Sequence, residues 1–184
     1  MKERPSIERL REVLAYAPET GRLTWKVALS PRVIVGADAG GNCGRGYIRV
    51  CVDGARMPAH HVIWAMETGP WPAEEVDHED LNKGNNRWGN LREATRSQNE
   101  ANKPPSKSNL TGLKGVIPLG NRFQAQVQFK GQRFQYGSYG TPEEAHAAYQ
   151  AKARELFGEF IRVIWSATHP SRTPSGIRDA IRNA

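Results

Sequence analysis

The sequence predicts an α+β chain of two small units, each made of a few short strands and a helix. Three observations carry this. Residues 76–102 run strand, long polar loop, strand, helix. Residues 115–158 read as three strands and one helix, a complete two-layer unit. Between these segments lies Lys103-Pro104-Pro105-Ser106-Lys107-Ser108-Asn109, whose prolines and serines suit a linker. The expected boundaries are 1–103, a linker at 104–109, a second domain at 110–165 and a loose Ser/Thr/Pro-rich tail at 166–184.

Ser6 precedes Ile7, Leu10, Val13 and Leu14, which recur at helical spacing, so a short amphipathic helix is expected over 7–16. Pro18-Glu19-Thr20-Gly21 is a turn, followed by a strand at Leu23-Thr24-Trp25. Residues 36–46 are glycine-rich loop. Tyr47 to Val52 and Ala55 to Ala59 flank Asp53-Gly54, a two-residue hairpin signal. His60 to Glu67 form a short apolar helix ending at Gly69-Pro70. Val76-Asp77-His78 and Leu91 to Ala94 are strands, and Thr95 with Gln98 is a capping box that starts a helix carrying Asn99 and Asn102. In the second unit, Gly115-Val116-Ile117 is a strand. Arg122 to Lys130 alternates Phe123, Ala125, Val127 and Phe129 with Arg122, Gln124, Gln126, Gln128 and Lys130. Gly131-Gln132 is the expected turn, Arg133 to Tyr139 the third strand. Thr141-Pro142-Glu143-Glu144 starts a helix that Gly158 ends, and Ile177 to Arg182 are expected to form a last helical turn.

Net charge is +7. Residues 1–103 carry 15 Lys and Arg against 14 Asp and Glu, a net +1, whereas residues 104–184 carry 11 against 5, a net +6. The basic excess lies in the C-terminal part and suits a polyanionic partner. The acidic cluster Glu74, Glu75, Asp77, Glu79 and Asp80 would repel a phosphate backbone unless a cation sits within it. Cys43 and Cys51 are too few for a four-cysteine zinc site and read as free thiols. No apolar run reaches membrane-spanning length and the start is not a signal peptide, so a cytoplasmic protein that makes no use of membranes is expected.

Asp77 beside His78, with Asn90 and Asn99 following, suits a hard metal ion and a proton-abstracting imidazole. In a regular strand Asp77 and His78 face opposite sides, so both serve one site only if the chain leaves the strand at His78. Asn90 suits side-chain bonds that hold the intervening loop. One carboxylate and one carboxamide oxygen, completed by water and phosphate oxygens, satisfy Mg²⁺ or Mn²⁺. Arg87 and Arg92 flank this segment as phosphate contacts. His60 is expected to be a packed structural histidine, His146 and His169 to face solvent.

Residues 76–102 resemble the HNH endonuclease family in its phage and intron homing form. The resemblance extends to Ala59-His60-His61-Val62-Ile63-Trp64 and to the lead-in at residues 13–25. It implies a ββα-metal fold, with His78 as general base, Asp77 and Asn99 as metal ligands and Asn90 ordering the loop. Many members have histidine where Asn99 stands; intron-homing members also use asparagine there.

Residues 108–160 resemble the Apetala/ethylene-response-factor (AP/ERF) DNA-binding domain, on Leu113-Lys114-Gly115-Val116, Phe123-Gln124-Ala125, Tyr136-Gly137-Ser138-Tyr139, Pro142-Glu143-Glu144-Ala145, Ala148-Tyr149 and Gly158-Glu159-Phe160. The resemblance implies a sheet laid in the major groove with the helix behind. Arg122, Gln124, Gln126, Gln128 and Lys130, with Lys114, Arg133 and Gln135, are the candidate DNA contacts; arginine suits guanine edges and glutamine adenine edges. Plant members carry more arginine and tryptophan on these strands. The whole reads as a monomeric, metal-dependent, sequence-directed endonuclease on double-stranded DNA. A non-catalytic DNA-binding regulator and a low-specificity degradative nuclease are the competing readings.

Overall fold

A computed structural model describes residues 3–161. The tail from 166 onward, with its expected helical turn and His169, lies outside the described residues. Chain contacts divide the protein into two compact units, with the break between Arg96 and Ser97 rather than at the proline-rich segment.

The first unit opens with helix α1 (Ile7–Val13), whose Ser6 hydroxyl accepts the Arg9 amide at 3.1 Å. The helix is shorter than the expected 7–16. Leu14 is already extended, and Leu14–Ala17 forms strand β1, paired antiparallel with β2 (Arg22–Trp25). Leu14 still serves the core, because its strand position opposite Trp25 points it inward as a continued helix would have done. A helical stripe and an inward strand residue look alike over so few positions. Strand β3 (Gly41–Asn42) pairs with β4 (Ile48–Val52), and β4 with β5 (Ala55–Pro58). The β4–β5 turn has positive φ at both Asp53 (50°) and Gly54 (83°), the tight hairpin geometry that their sequence announces. Helix α2 (Ala59–Thr68) follows at once and buries Ala59, His60, Val62, Ile63, Ala65 and Met66. Its Met66 carbonyl accepts the Arg11 guanidinium at 3.0 Å, which satisfies an otherwise orphan helix-end acceptor. Leu10, Val13, Leu14, Val50, Val52, Val62 and Ile63 form the fully buried centre. Strands β6 (Glu75–His78) and β7 (Leu91–Ala94) make a separate antiparallel pair, with a 3₁₀ turn at Trp88–Asn90 leading into β7.

The second unit begins with helix α3 (Arg96–Asn102). It continues through β8 (Val116–Leu119), β9 (Arg122–Phe129), β10 (Gln132–Tyr139) and helix α4 (Pro142–Phe157), with sheet order β10-β9-β8. Ala125 and Val127 of β9 are buried with Val116, Ala145, Tyr149, Ala153, Phe157 and Ala101 of α3. Phe129 pairs with Gln132, so the hairpin turn is Lys130-Gly131 (φ 48° and 79°), one residue earlier than expected. The α4 capping box is complete: the Thr141 hydroxyl accepts the Glu144 amide at 3.2 Å and the Glu144 carboxylate accepts the Thr141 amide at 3.2 Å. Gly115, at φ +76°, brings the chain so close to α4 that a Cβ there would lie 2.0 Å from the Tyr149 ring.

Candidate active site

The β6–β7 pair sets the site by its register. Asp77 stands opposite Arg92, and His78 opposite Leu91. Both Asp77 and His78 are buried, at 5% and 4% exposure. The Asp77 carboxylate accepts from the Arg92 guanidinium at 3.2 and 3.3 Å. Arg92 therefore spends its charge on this carboxylate, which departs from the free phosphate contact that sequence suggests; cross-strand pairing on one face of the hairpin is the reason.

The chain leaves the strand at His78. Its carbonyl accepts the Leu81 amide at 3.0 Å, and the Glu79 amide turns to the Asn90 carbonyl at 2.9 Å. Leu81 takes φ +66°, an uncommon conformation for a branched side chain. Side-chain carboxamides and one carboxylate hold the turn in place. Asn90 accepts the Asp80 amide at 3.0 Å and donates to the Asn85 carbonyl at 2.7 Å and the Asp80 carboxylate at 3.0 Å. Asp80 also accepts from the Asn85 side chain (2.7 Å) and the Asn82 amide (2.8 Å). Burial pushes the Asp80 carboxyl up, but these donors, with the nearby His78, outweigh it and hold the group below its ordinary value.

His78 has a partner that residue spacing does not announce. Its Nε2 lies 3.0 Å from Oδ1 of Asn86, which is 2% exposed. A carboxamide oxygen only accepts, so Nε2 is the donor in this contact. Asn86 is itself fixed: its carbonyl accepts the Tyr16 hydroxyl at 2.8 Å, and the neighbouring Trp88 amide donates to the Pro18 carbonyl at 3.1 Å. Gly21 lies against the same segment, where a Cβ would come within 2.6 Å of the Asn86 and Arg87 backbone. The β1–β2 hairpin is thus the backstop of the site loop. The visible signal is the doublet Asn85-Asn86 in a polar run; nothing in a linear pattern separates the buried member from the half-exposed one.

Helix α2 closes the other side. The His60 ring packs 4.9 Å from that of His78, 4.6 Å from His61 and 5.3 Å from Tyr47. Burial, with its two histidine neighbours, takes His60 down to about 3, so it is neutral and structural. His61 is lowered as well, by burial and then by the Arg4 charge, against an opposing pull from Glu75. Trp64 of α2 stacks obliquely on Trp88 at 5.3 Å.

In the second unit, Gln128 stands opposite Arg133 and Gln126 opposite Gln135, with Gln124 beside Ser138, so these strand positions share one sheet face. Gln128, Arg133 and Gln135 are exposed. Arg122 is partly committed, donating to the Ser138 hydroxyl at 2.9 Å and carbonyl at 2.6 Å. Gln126 has its carboxamide oxygen buried and without a hydrogen-bond partner. Lys130 occupies the turn, not a strand face. Lys114 departs from the DNA-contact expectation: its ammonium donates to the Glu100 carbonyl (2.6 Å), the Ala101 carbonyl (2.7 Å) and the Lys103 carbonyl. Burial, with Lys103 adding to it and Glu100 opposing, takes Lys114 down to about 8, so it remains charged at neutral pH. His146, expected in solvent, is buried, with Nδ1 2.8 Å from the Lys114 carbonyl and Nε2 2.9 Å from Gln150; α4 packs this face onto the sheet. Asn99 lies in α3 and so belongs to the second unit.

A sequence model of HNH endonucleases matches residues 58–101, from the start of α2 into α3. The chain is 37% identical over 119 residues to an uncharacterised HNH endonuclease of Acanthamoeba polyphaga mimivirus, covering 64% of this chain and 62% of that relative. It is 32% identical over 111 residues to Protein 3.8 of Escherichia phage T7, covering 58% of this chain and 91% of that protein. The chain carries an HNH endonuclease domain. No solved structure matches it. The HNH match takes in α2, β6, the carboxamide-braced loop, β7 and most of α3, so every element just described around Asp77 and His78 falls inside it, except the β1–β2 backstop.

Among the described residues no group of three or more His, Cys, Asp or Glu side chains forms a closed cage. Mg²⁺ asks for none: it keeps several waters and takes one or two protein oxygens plus substrate phosphates. Asp77, ion-paired with Arg92, is the buried carboxylate nearest His78 in sequence. Among the described residues, no helix is long and apolar enough to cross a membrane.

Proposed function

We propose that this protein is a metal-dependent, sequence-directed endonuclease acting on double-stranded DNA, of the homing type, and that it works as a monomer. The observation that carries the reading is the buried His78–Asn86 pair inside the HNH match. It orients an imidazole suited to take a proton from an attacking water. As that proton transfers, the imidazolium keeps its hydrogen bond to the Asn86 oxygen, which steadies the new charge. Asn90 acts at one remove by keeping the loop closed beneath His78. Asp77 and Asn99 are the proposed ligands of Mg²⁺ or Mn²⁺. When bound, the metal supplies positive charge to the scissile phosphate and the leaving oxygen.

The C-terminal module is the proposed reader, of AP/ERF type. Support comes from its net +6 and from the shared face of Gln124, Gln126, Gln128, Arg133 and Gln135, with Arg122 at its edge. Lys130 in the turn and the exposed Arg87 are proposed phosphate contacts. Ile117 and the exposed Leu119, opposite Gln124 and Arg122, offer apolar surface suited to thymine methyl groups.

The test is cleavage of plasmid and of a long genomic duplex with Mg²⁺ and with EDTA. Discrete products that require metal are expected. A smear would favour a degradative nuclease, and DNA binding without cleavage would favour a regulator.

A further inference from the structure

Two loops of the first unit meet beside His78, and one of them carries Lys83. In the carboxamide-braced loop, the Asn82 side-chain oxygen accepts the Gly84 amide at 3.1 Å and the Asn82 carbonyl accepts the Asn85 amide at 2.9 Å, so Lys83 sits within a tight turn. The other loop joins β3 to β4. There the Cys43 amide donates to the Tyr47 carbonyl at 3.0 Å and the Gly44 amide to the Asn42 side chain at 2.9 Å. The stem of Lys83 lies against this second loop: a Cβ built on Gly46 would stand 3.6 Å from its Cβ and Cδ. The stem ends with Nζ 4.7 Å from the centre of the Tyr47 ring. That ring in turn packs 6.0 Å from the His78 ring and 5.3 Å from the His60 ring.

An aromatic face attracts an ammonium without neutralising it. A carboxylate in the same place would take up the charge, as Asp77 does with Arg92. The carboxylate nearest Lys83 in the chain, Asp80, accepts from the Asn82 amide and from the Asn85 and Asn90 side chains. Lys83 and Arg45 are exposed, and the stretch Cys43-Gly44-Arg45-Gly46-Tyr47 contains no acidic residue. Lysine meets phosphate as a point charge and needs no forked geometry. One already laid on a ring has less side-chain freedom to lose when a phosphate arrives.

We infer that Lys83, held over Tyr47, is a DNA contact of the nuclease site: its ammonium binds a backbone phosphate close to the bond that is cut. This rests on the proposed role of His78 as base, and every group involved belongs to the first unit.

The test compares full-length wild type, Lys83→Met, Lys83→Arg and His78→Ala on a duplex whose cleavage position has been mapped. Thermal melts first establish that each is folded; if Lys83→Met is not, Lys83→Gln takes its place. Binding is titrated in EDTA at several salt concentrations, so that it reads contact with DNA and not chemistry. Lys83→Met is expected to lower the slope of log affinity against log salt by roughly one, and to weaken binding about equally on the mapped and a scrambled duplex. Lys83→Arg should keep the wild-type slope. A second series of duplexes carries a single neutral methylphosphonate, placed in turn at each phosphate around the cut. One of these should weaken binding by the wild type and leave Lys83→Met unaffected, a non-additivity that a merely structural role for Lys83 does not produce. An unchanged salt slope in Lys83→Met overturns the inference. So does coupling confined to phosphates more than half a helical turn from the cut. The reading of His78 fails separately, if His78→Ala cuts at the wild-type rate; the slope and the coupling, both measured in EDTA, do not depend on that outcome.

Discussion

Replacing Asn86 by alanine removes the hydrogen bond at Nε2 of His78. The Nε2–Oδ1 distance of 3.0 Å and the 2% exposure of Asn86 mean that water does not readily replace the lost oxygen. A buried donor left without its acceptor costs about 1–3 kcal/mol. That cost falls on the neutral imidazole and more heavily on the imidazolium formed in the reaction, because charge-assisted hydrogen bonds are the stronger ones. If about 1–3 kcal/mol of it reaches the transition state, the cleavage rate drops by roughly 5- to 150-fold. The Asn86 backbone keeps its Tyr16 contact, so the loop path should survive. Asn86→Asp provides the complementary perturbation. A carboxylate beside the ring favours the imidazolium, so the acidic limb of the pH–rate profile should move to higher pH. The assay is single-turnover cleavage of a supercoiled plasmid at saturating protein and Mg²⁺ across pH 5–9, well below each variant's melting temperature. DNA affinity in EDTA should stay within about twofold of the original, since Asn86 is not a phosphate contact. Wild-type rate and an unshifted profile in both variants would refute the orientation argument.

Other outcomes follow from the same structure. His78→Ala should cut about 10²- to 10⁴-fold more slowly with little change in DNA binding, checked by plasmid cleavage beside a filter-binding titration. His60 lies near 3 in the folded protein against an ordinary 6.5, so the unfolded state binds the extra proton between those values; stability is full above about 6.5 and is lost as pH falls toward 3, by an amount on the order of 5 kcal/mol. Chemical denaturation of His60→Phe should show a flatter slope across that window. Arg92→Ala leaves the buried Asp77 carboxylate without its guanidinium and should destabilise the protein by a few kcal/mol (~3) in EDTA, with Mg²⁺ restoring part of the loss in a melting experiment. Gly115→Ala should be among the most damaging small changes, by more than about 1 kcal/mol in a melt, because the new methyl meets the Tyr149 ring at a positive φ.

Much of this architecture is legible in the order of residues alone. The Asp53-Gly54 hairpin, the alternation of β9 and the Thr141–Glu144 capping box each rest on chemistry local to a few residues, and each forms as the local rule requires. Misreadings fall where one pattern serves two structures. Leu14 satisfies both a helical stripe and an inward strand position, and only pairing with Trp25 decides between them. The β9–β10 turn lies one residue earlier than its glycine suggests because the Phe129–Gln132 pair sets the register.

The site is legible to a different depth. Residue types at fixed spacing point to Asp77, His78 and Asn90, since each is demanded by chemistry. Their partners are not, because a partner is chosen by geometry. Asn85 and Asn86 are adjacent and chemically identical, yet the first braces Asp80 and the second is buried against His78. Lys114 and Arg92 show the same limit with opposite consequences. Both are cations in segments that suit DNA contact, and both are drawn inward by a local acceptor: three carbonyls in one case, a carboxylate in the other. A buried acceptor left unpaired costs more than a surface ion pair to DNA returns, so short-range satisfaction takes precedence over the long-range field. Net charge therefore does not mark which individual cations stay exposed. On the second unit's sheet and its turn, Arg122, Lys130 and Arg133 are exposed, and Arg122 already leans on Ser138, which leaves Lys130 and Arg133 the better placed to meet phosphate.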